Sequence, residues 1–323
     1  MVGQGSGWDP LTVVTEASRD NRVIPLEGGR GYVLANPYEL DGMTHTFPVW
    51  ARGYAPSNSY LLIEDDEALL VDAGLSVHED ALLGQIGELI GDRRLALYVT
   101  RFGEFNTICN VHAIVENFEV SALYAPWPDA SLWMEVRPKY APPGTRVGSG
   151  PLGRLANVKT ADGKAIRLGG ERRITPVRAT LRLLTTDWLY DHGTGTLFTS
   201  DAFTHVWRES AAGPWAVQPE EDDGTTAEQV LDYMTATRFW WLNGADTEPL
   251  IRRLGEAFAR FPDVRAIGPG YGCALLGQSV ARRHLRLVED ALRLAATRTP
   301  NGVDLGLTYQ DATDPSLPEA ATP

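Results

Sequence analysis

The sequence predicts an α/β protein of two strand-then-helix halves laid face to face, with a doubly wound sheet as the alternative arrangement. Three observations carry this. Short apolar runs of strand length are separated by acidic or Gly-containing turns. Two early stretches place apolar residues at helical spacing. The second half then repeats the grammar of the first, loosely. The order of elements alone does not separate the two arrangements.

Residues 1–20 are polar and Gly-rich and are expected to form a flexible arm. Runs 59–63 and 68–72 flank the acidic turn Glu64-Asp65-Asp66-Glu67, which predicts a hairpin of adjacent strands. Leu82, Leu83, Ile86, Leu89 and Ile90 then fall on one helical face. A buried strand is expected over 95–100, a second helix on the stripe Val111, Ile114, Val115 and Phe118, and a strand over 120–125. Residues 126–163, rich in Pro, Gly and Trp, predict a long excursion over one face.

In the second half, 165–168, 174–184, 188–190 and 196–199 read as strands, and 218–224 as a solvated acidic loop. Thr225-Thr226-Ala227-Glu228 is a capping-box pattern opening a helix. Asp246 is expected to cap the next helix, with Pro249 in its first turn. A strand over 264–267 and a long helix over 278–296 follow. The stretch 300–323 has no periodicity and is expected to be a disordered tail, so 21–299 is expected to form a single domain.

Composition bounds the function. The chain has 323 residues, 43% of them hydrophobic and 22% charged, as in an ordinary globular protein. Its net charge of −13 repels DNA, RNA and anionic lipid, so neither a nucleic-acid nor a membrane partner is expected. Cys109 and Cys273 fit no zinc or redox spacing and are expected to be reduced thiols in a cytoplasmic protein. Met1 to Pro10 lacks the basic and apolar regions of a signal peptide, and no apolar run reaches membrane-spanning length.

Four motifs in order resemble a known family. Ser57-Asn58-Ser59-Tyr60-Leu61-Leu62-Ile63 followed by Ala68-Leu69-Leu70-Val71-Asp72-Ala73-Gly74 is similar to the opening of metallo-β-lactamase-fold proteins, closest to the flavodiiron, or oxygen-binding diiron, branch. Arg101-Phe102-Gly103-Glu104-Phe105-Asn106 stands where that branch carries its first ligand motif. Trp188-Leu189-Tyr190-Asp191 with 195–203 resembles its "tYD … iLFSxDAF" stretch, and Ile267-Gly268-Pro269-Gly270-Tyr271-Gly272 stands where it has "PsHG". The resemblance spans roughly residues 30–290 and implies a four-layer αββα metallo-β-lactamase-type sandwich, with no flavodoxin domain following.

The resemblance also implies a two-metal site, held by His and carboxylate ligands from loops at one edge of the sandwich. The first-loop pattern there is His-x-His/Glu-x-Asp-His. Its positions fall here on Arg101, Gly103, Phe105 and Asn106, and a one-residue slip would bring in Glu104. The third His position falls near Arg182, the bridging Asp is Asp201, and the last His is Tyr271. A guanidinium has no lone pair for a metal, so the site reads as degenerate and no metal cofactor is expected. Non-haem iron would need unconventional ligands: Glu104, Asp187, Asp201 and His205.

Bland readings suffice for the other histidines: His112 structural or exposed, His192 solvated in a Gly turn, His284 on the surface, His78 at a helix start, and His45 uninformative. Trp133 is a candidate for a substrate mouth. The candidate pocket is therefore Arg101, Glu104, Asn106, Arg182, Asp187, Asp201, His205 and Tyr271.

Arg101 and Arg182 are expected to replace the lost cations, with at least one of them near Asp201 or Glu104. The resemblance implies a diiron-oxidoreductase-like protein acting on or binding a small molecule in the former metal pocket, in specialised metabolism. A metal-free scaffold, ligand-binding or regulatory protein is the first alternative and a hydrolase the second. A homodimer is expected by the same resemblance.

Overall fold

The computed structural model describes residues 22–299 except 29, 45, 102, 135–150 and 222. The expected arm and tail, the middle of the 126–163 excursion, His45 and the side chain of Trp133 lie outside what is described.

Two seven-stranded sheets face each other. The first runs in chain order: β1 (Val23–Pro25), β2 (Gly31–Leu40), β3 (Gly53–Glu64), β4 (Glu67–Val71), β5 (Arg94–Tyr98), β6 (Val120–Ala125) and β7 (Ala156–Lys159). It is antiparallel through β4 and parallel from β4 to β7. The second holds β8 (Ile166–Leu168), β9 (Arg172–Arg178), β10 (Asp187–Asp191), β11 (Thr196–Ser200), β12 (Ala216–Val217), β13 (Ala266–Pro269) and β14 (Ala274–Leu276), ordered β12-β14-β13-β11-β10-β9-β8.

Strand alternation makes the layers. In the first sheet Leu34, Leu61, Leu70, Leu97 and Leu123 pack with Leu82, Ile86, Ile90, Val111 and Ile114 of the helices Glu79–Ile90 and Val111–Asn117. Their neighbours Val33, Tyr60, Leu62, Leu69, Val71 and Tyr98 turn to the other face and meet Leu168, Ile174, Leu189, Phe198 and Trp215 of the second sheet. The far face of that sheet packs under the helices Ala227–Ala236, Glu248–Ala259 and Gln278–Thr297. Strands buried on both faces read as unbroken apolar runs, which is why 68–71 and 95–98 show no polar alternation. The architecture is four-layer αββα, not a doubly wound sheet.

A buried ion pair joins the two sheets. Arg172 Nε donates to Asp191 Oδ1 at 2.9 Å and Nη2 to Oδ2 at 2.6 Å, while Nη1 donates to the carbonyls of Arg30 (2.7 Å) and Ile63 (2.9 Å) in the first sheet. Asp191 also accepts from the Gly193 and Thr194 amides and the Thr194 hydroxyl. Burial raises its carboxyl pKa, but the hydrogen bonds and charge of Arg172 win and hold it below the ordinary range.

Several local expectations shift. The strand expected over 174–184 ends at Arg178, because the Ala179 amide bonds the Thr186 carbonyl (3.1 Å) and the chain between them loops outward. The capping box belongs to Thr226 and Gln229: the Gln229 amide donates to the Thr226 hydroxyl (3.3 Å), and the Gln229 side chain accepts from the Thr226 amide (3.0 Å). Thr247 takes the cap position of the following helix but makes no side-chain cap bond, and Asp246 instead accepts from the amide of Glu248, the first helical residue, at 3.3 Å. His284, expected on the surface, is fully buried, since it shares the inward face of the final helix with Val280 and Val288. Both cysteines are free thiols, Cys109 half-buried and Cys273 buried.

Candidate functional site

The loops that follow β5, β11 and β13 meet at one edge, where the sheets are pinned together. Asn58 Nδ2 donates to the carbonyls of Pro269 (2.9 Å) and Gly272 (2.7 Å), and the Tyr60 hydroxyl donates to Pro269 (2.6 Å). The Asp187 amide donates to the Thr100 carbonyl (2.9 Å), and Ser57 forms a bridge with Tyr271. The polar members of the 57–60 run thus hold the 269–272 turn in place. Asp72, Ser200 and Phe203, all at these loop junctions, adopt positive φ of 61°, 53° and 63°. Such conformations disfavour side chains and persist only where surroundings enforce them.

Asp72 anchors the loop behind the site. Its Oδ1 accepts from the Thr100 amide at 2.9 Å, and its carboxylate accepts from the Thr100 hydroxyl. Burial pushes its carboxyl up to about 7, against the opposing pull of the Thr100 donors and the Arg101 charge.

Arg101 occupies the middle. It is only 4% exposed, its Nη1 lies 2.8 Å from Asp201 Oδ2, and its Nη2 pairs with Glu104. The Thr107 hydroxyl donates to the carbonyls of Glu104 (2.7 Å) and Arg101 (3.1 Å), curling this loop so that Glu104 faces back to Arg101. The approach to Asp201 is ionic more than directional, because neither Asp201 oxygen receives a well-aligned donor hydrogen.

A second cation lies in the same edge. Arg238 follows the helix Ala227–Ala236, where the Phe239 amide turns back to the Met234 carbonyl at 2.8 Å. Its side chain is 6% exposed and its guanidinium carbon sits 5.4 Å from the centre of the Tyr271 ring. Burial works against its charge, but the fields of Tyr233, Asp201, Tyr271 and Glu104 more than offset that and keep it protonated. Around it Tyr233 donates to the Thr46 carbonyl (2.9 Å) and bonds the Thr204 hydroxyl (2.7 Å), while Tyr38 bonds the Thr46 hydroxyl (3.1 Å). Burial, then the negative charge of Glu104, push the Tyr271 phenol well above its ordinary pKa, so it is a protonated donor.

The structure therefore brings together Arg101, Glu104, Asp201 and Tyr271, and places Asn106 buried beside Gly270. It does not bring in the rest of the expected pocket. Arg182 is exposed, in the 182–185 part of its loop, and donates to the Ala179 carbonyl, so it pairs with neither carboxylate. Asp187 turns to Tyr98 and Thr160, each donating to Oδ2 at 2.8 Å, with Arg178 at 3.2 Å from Oδ1. His205 Nε2 meets His284 Nδ1 at 2.9 Å, and His284 Nε2 meets Asp223 at 2.9 Å, so it serves a buried chain of its own. Reading the sequence missed Arg238, Tyr38 and Tyr233. No local feature of the sequence points to the first.

These donors do not fit a pair of metal ions. A guanidinium spans the two carboxylates, Glu104 and Asp201, and the side chains beside them are arginine and tyrosine rather than imidazoles. Among the described residues no three His, Cys, Asp or Glu side chains are grouped as a metal would require. Of the expected unconventional set, Glu104 and Asp201 share Arg101, while Asp187 and His205 belong to two other networks.

No known family profile and no curated protein sequence matches the chain. Solved structures do. A fragment assigned as diflavin flavoprotein A 5 of Nostoc sp. PCC 7120 matches at TM-score 0.56 and 15% identity, over 84% of this chain and 96% of that one. Rubredoxin oxygen:oxidoreductase from Desulfovibrio gigas matches at TM-score 0.56 and 14% identity, over 81% of this chain. The match spans 60% of that enzyme's length. A metallo-β-lactamase from Pontibacter korlensis matches at TM-score 0.50 and 13% identity, over 84% and 98%. The chain thus has the metallo-β-lactamase fold, and its likeness in structure is to the flavodiiron proteins that carry it.

Proposed function

We propose that this chain is a metal-independent protein of the metallo-β-lactamase fold that binds a small molecule in the pocket where its structural relatives place their loop-borne site. The observation that supports this is Arg101, buried between Glu104 and Asp201. A fixed positive charge there neutralises both carboxylates and offers a metal no lone pair. An iron oxygenase built on Glu104, Asp187, Asp201 and His205 has no comparable support, because the side chains of Asp187 and His205 are committed to Tyr98, Thr160 and His284. A hydrolase would need a metal-activated water, for which the donor set gives no support.

The test is elemental analysis of protein purified without chelator. Iron, zinc and manganese should each fall below about a tenth of an equivalent per chain, and adding them should leave the melting temperature unmoved. Stoichiometric metal that disappears in Asp201→Ala would overturn the reading.

A further inference from the structure

We infer that Arg238 and Tyr271 form a carboxylate-binding subsite: the guanidinium grips the two oxygens of a monocarboxylate, and the phenol donates to one of them.

Four buried donors at this edge lack a well-aligned acceptor. They are Arg238 Nη1 and Nη2, the Tyr271 hydroxyl and Arg101 Nε, while Asp201 Oδ1 and Oδ2 are the unsatisfied acceptors of the same edge. Buried polar groups in folded proteins are satisfied in the great majority, and an orphan cluster calls for an explanation. Here the unsatisfied donors outnumber the acceptors four to two, and two of the donors belong to one guanidinium. The missing partner is therefore an acceptor, and an anionic one.

Charge leads to the same class. Both carboxylates of the site are engaged by Arg101. Arg238 is the cation left over. No carboxylate lies within ion-pair distance of it among the described residues, and Asp201 and Glu104 act on it only as fields. Tyr233 lies close and offers Arg238 its hydroxyl oxygen, but this is a neutral acceptor, already bonded to Thr46 and Thr204, and it leaves the charge of Arg238 uncompensated. A buried cation is stable when paired and hydrogen-bonded, and a planar fork of two N–H groups matches a carboxylate in size and shape. Tyr271, protonated at any ordinary pH, adds a neutral donor beside it.

Surroundings suggest what the carboxylate is attached to. Two of the segments that bear site residues carry an exposed apolar residue close in sequence: Phe105 beside Glu104, and Trp240 two residues after Arg238. A ligand with an apolar body and an acidic end would place the body among these and the acid on Arg238.

The inference rests on the pocket being free of metal, and the experiment keeps the two claims apart. Metal content is measured first on the preparation used. Sodium benzoate and sodium acetate are then titrated against sodium chloride at constant ionic strength, with benzamide as the uncharged analogue of benzoate. Binding is followed by melting temperature and by ligand-observed NMR. Benzoate should raise the melting temperature by about 2 °C or more at saturation and benzamide should not. Arg238→Gln should abolish the effect, and Tyr271→Phe, which leaves the guanidinium in place, should weaken binding about tenfold.

If Arg238→Gln does not fold, the benzoate–benzamide contrast and the Tyr271→Phe effect decide. Equal response to benzoate and benzamide, unchanged affinity in Tyr271→Phe, or no carboxylate binding by folded, metal-free protein would each overturn the subsite while leaving the metal-free reading intact. Stoichiometric metal would remove that reading itself.

Discussion

Arg101 is a buried charge held by two others, and its removal should show how much. Arg101→Met leaves Glu104 and Asp201 facing each other without a cation, so it should destabilise by about 3–5 kcal/mol. Adding Glu104→Gln and Asp201→Asn removes the stranded charges, and the triple variant should recover more than half of that loss in urea denaturation. A triple variant as unstable as the single one would mean that Arg101 acts through packing alone.

That Arg101, Glu104, Asp201 and Tyr271 meet is legible in the sequence, because the motif series places their loops at one edge. Arg182 is misplaced because its assignment rests on the resemblance alone, which sets the third histidine position in a stretch that leaves the sheet after Arg178. Leu183 and Leu184 are in fact exposed at 50% and 45%, and the loop swings its arginine outward. Arg238 was hidden because 26 of the 29 basic residues are arginine, and nothing local marks one as turned inward. That is decided by the return of the Phe239 amide to Met234.

Among elements, the chain His205–His284–Asp223 ties the loop after β11 to the final helix and to the 218–224 loop. Burial first, and the charge of His284 second, hold the His205 imidazole down to about 3. The unfolded chain therefore takes up a proton at this residue near pH 6.5 that the folded chain refuses, so stability falls as pH drops below that value. The Asp72 carboxyl, raised to about 7, slopes the other way, since the folded state keeps a proton there that the unfolded state releases. The measurement is therefore wild type minus His205→Gln. Between pH 8 and pH 5 the stability advantage of the wild type should shrink by about 2 kcal/mol, and a difference independent of pH would show that His205 is not buried neutral.

The position of His284 was legible in principle. Four residues from Val280 and four from Val288, it lies on the apolar stripe, and only the polarity of its ring argued for the surface. Strand pairing was legible through continuous apolar runs, whereas strand ends were not, because they are set by backbone bonds such as Ala179 to Thr186.

For the whole molecule, the two halves own separate helix-facing cores and share the core between the sheets. Arg101 and Glu104 come from the first half, and Asp201, Arg238 and Tyr271 from the second. A site divided in this way holds only while the halves stay in register, which the Arg172–Asp191 pair and the Asn58 bonds enforce.

Each half also carries one thiol next to its site loops. Cys109 closes the short Phe105–Ile108 helix and is half-buried; Cys273, two residues past Tyr271, is buried and its thiol is pushed up to about 12 by that burial. With a thiol reagent under native conditions, Cys109 should react through small local openings and Cys273 only through much larger ones, slower by on the order of a hundredfold. Comparable rates would mean that the second half opens as readily as the first. The two cysteines thus act as paired stopwatches, one in each half of the sandwich. A bound carboxylate that bridges Arg238 and Tyr271 should slow the second clock while leaving the first running.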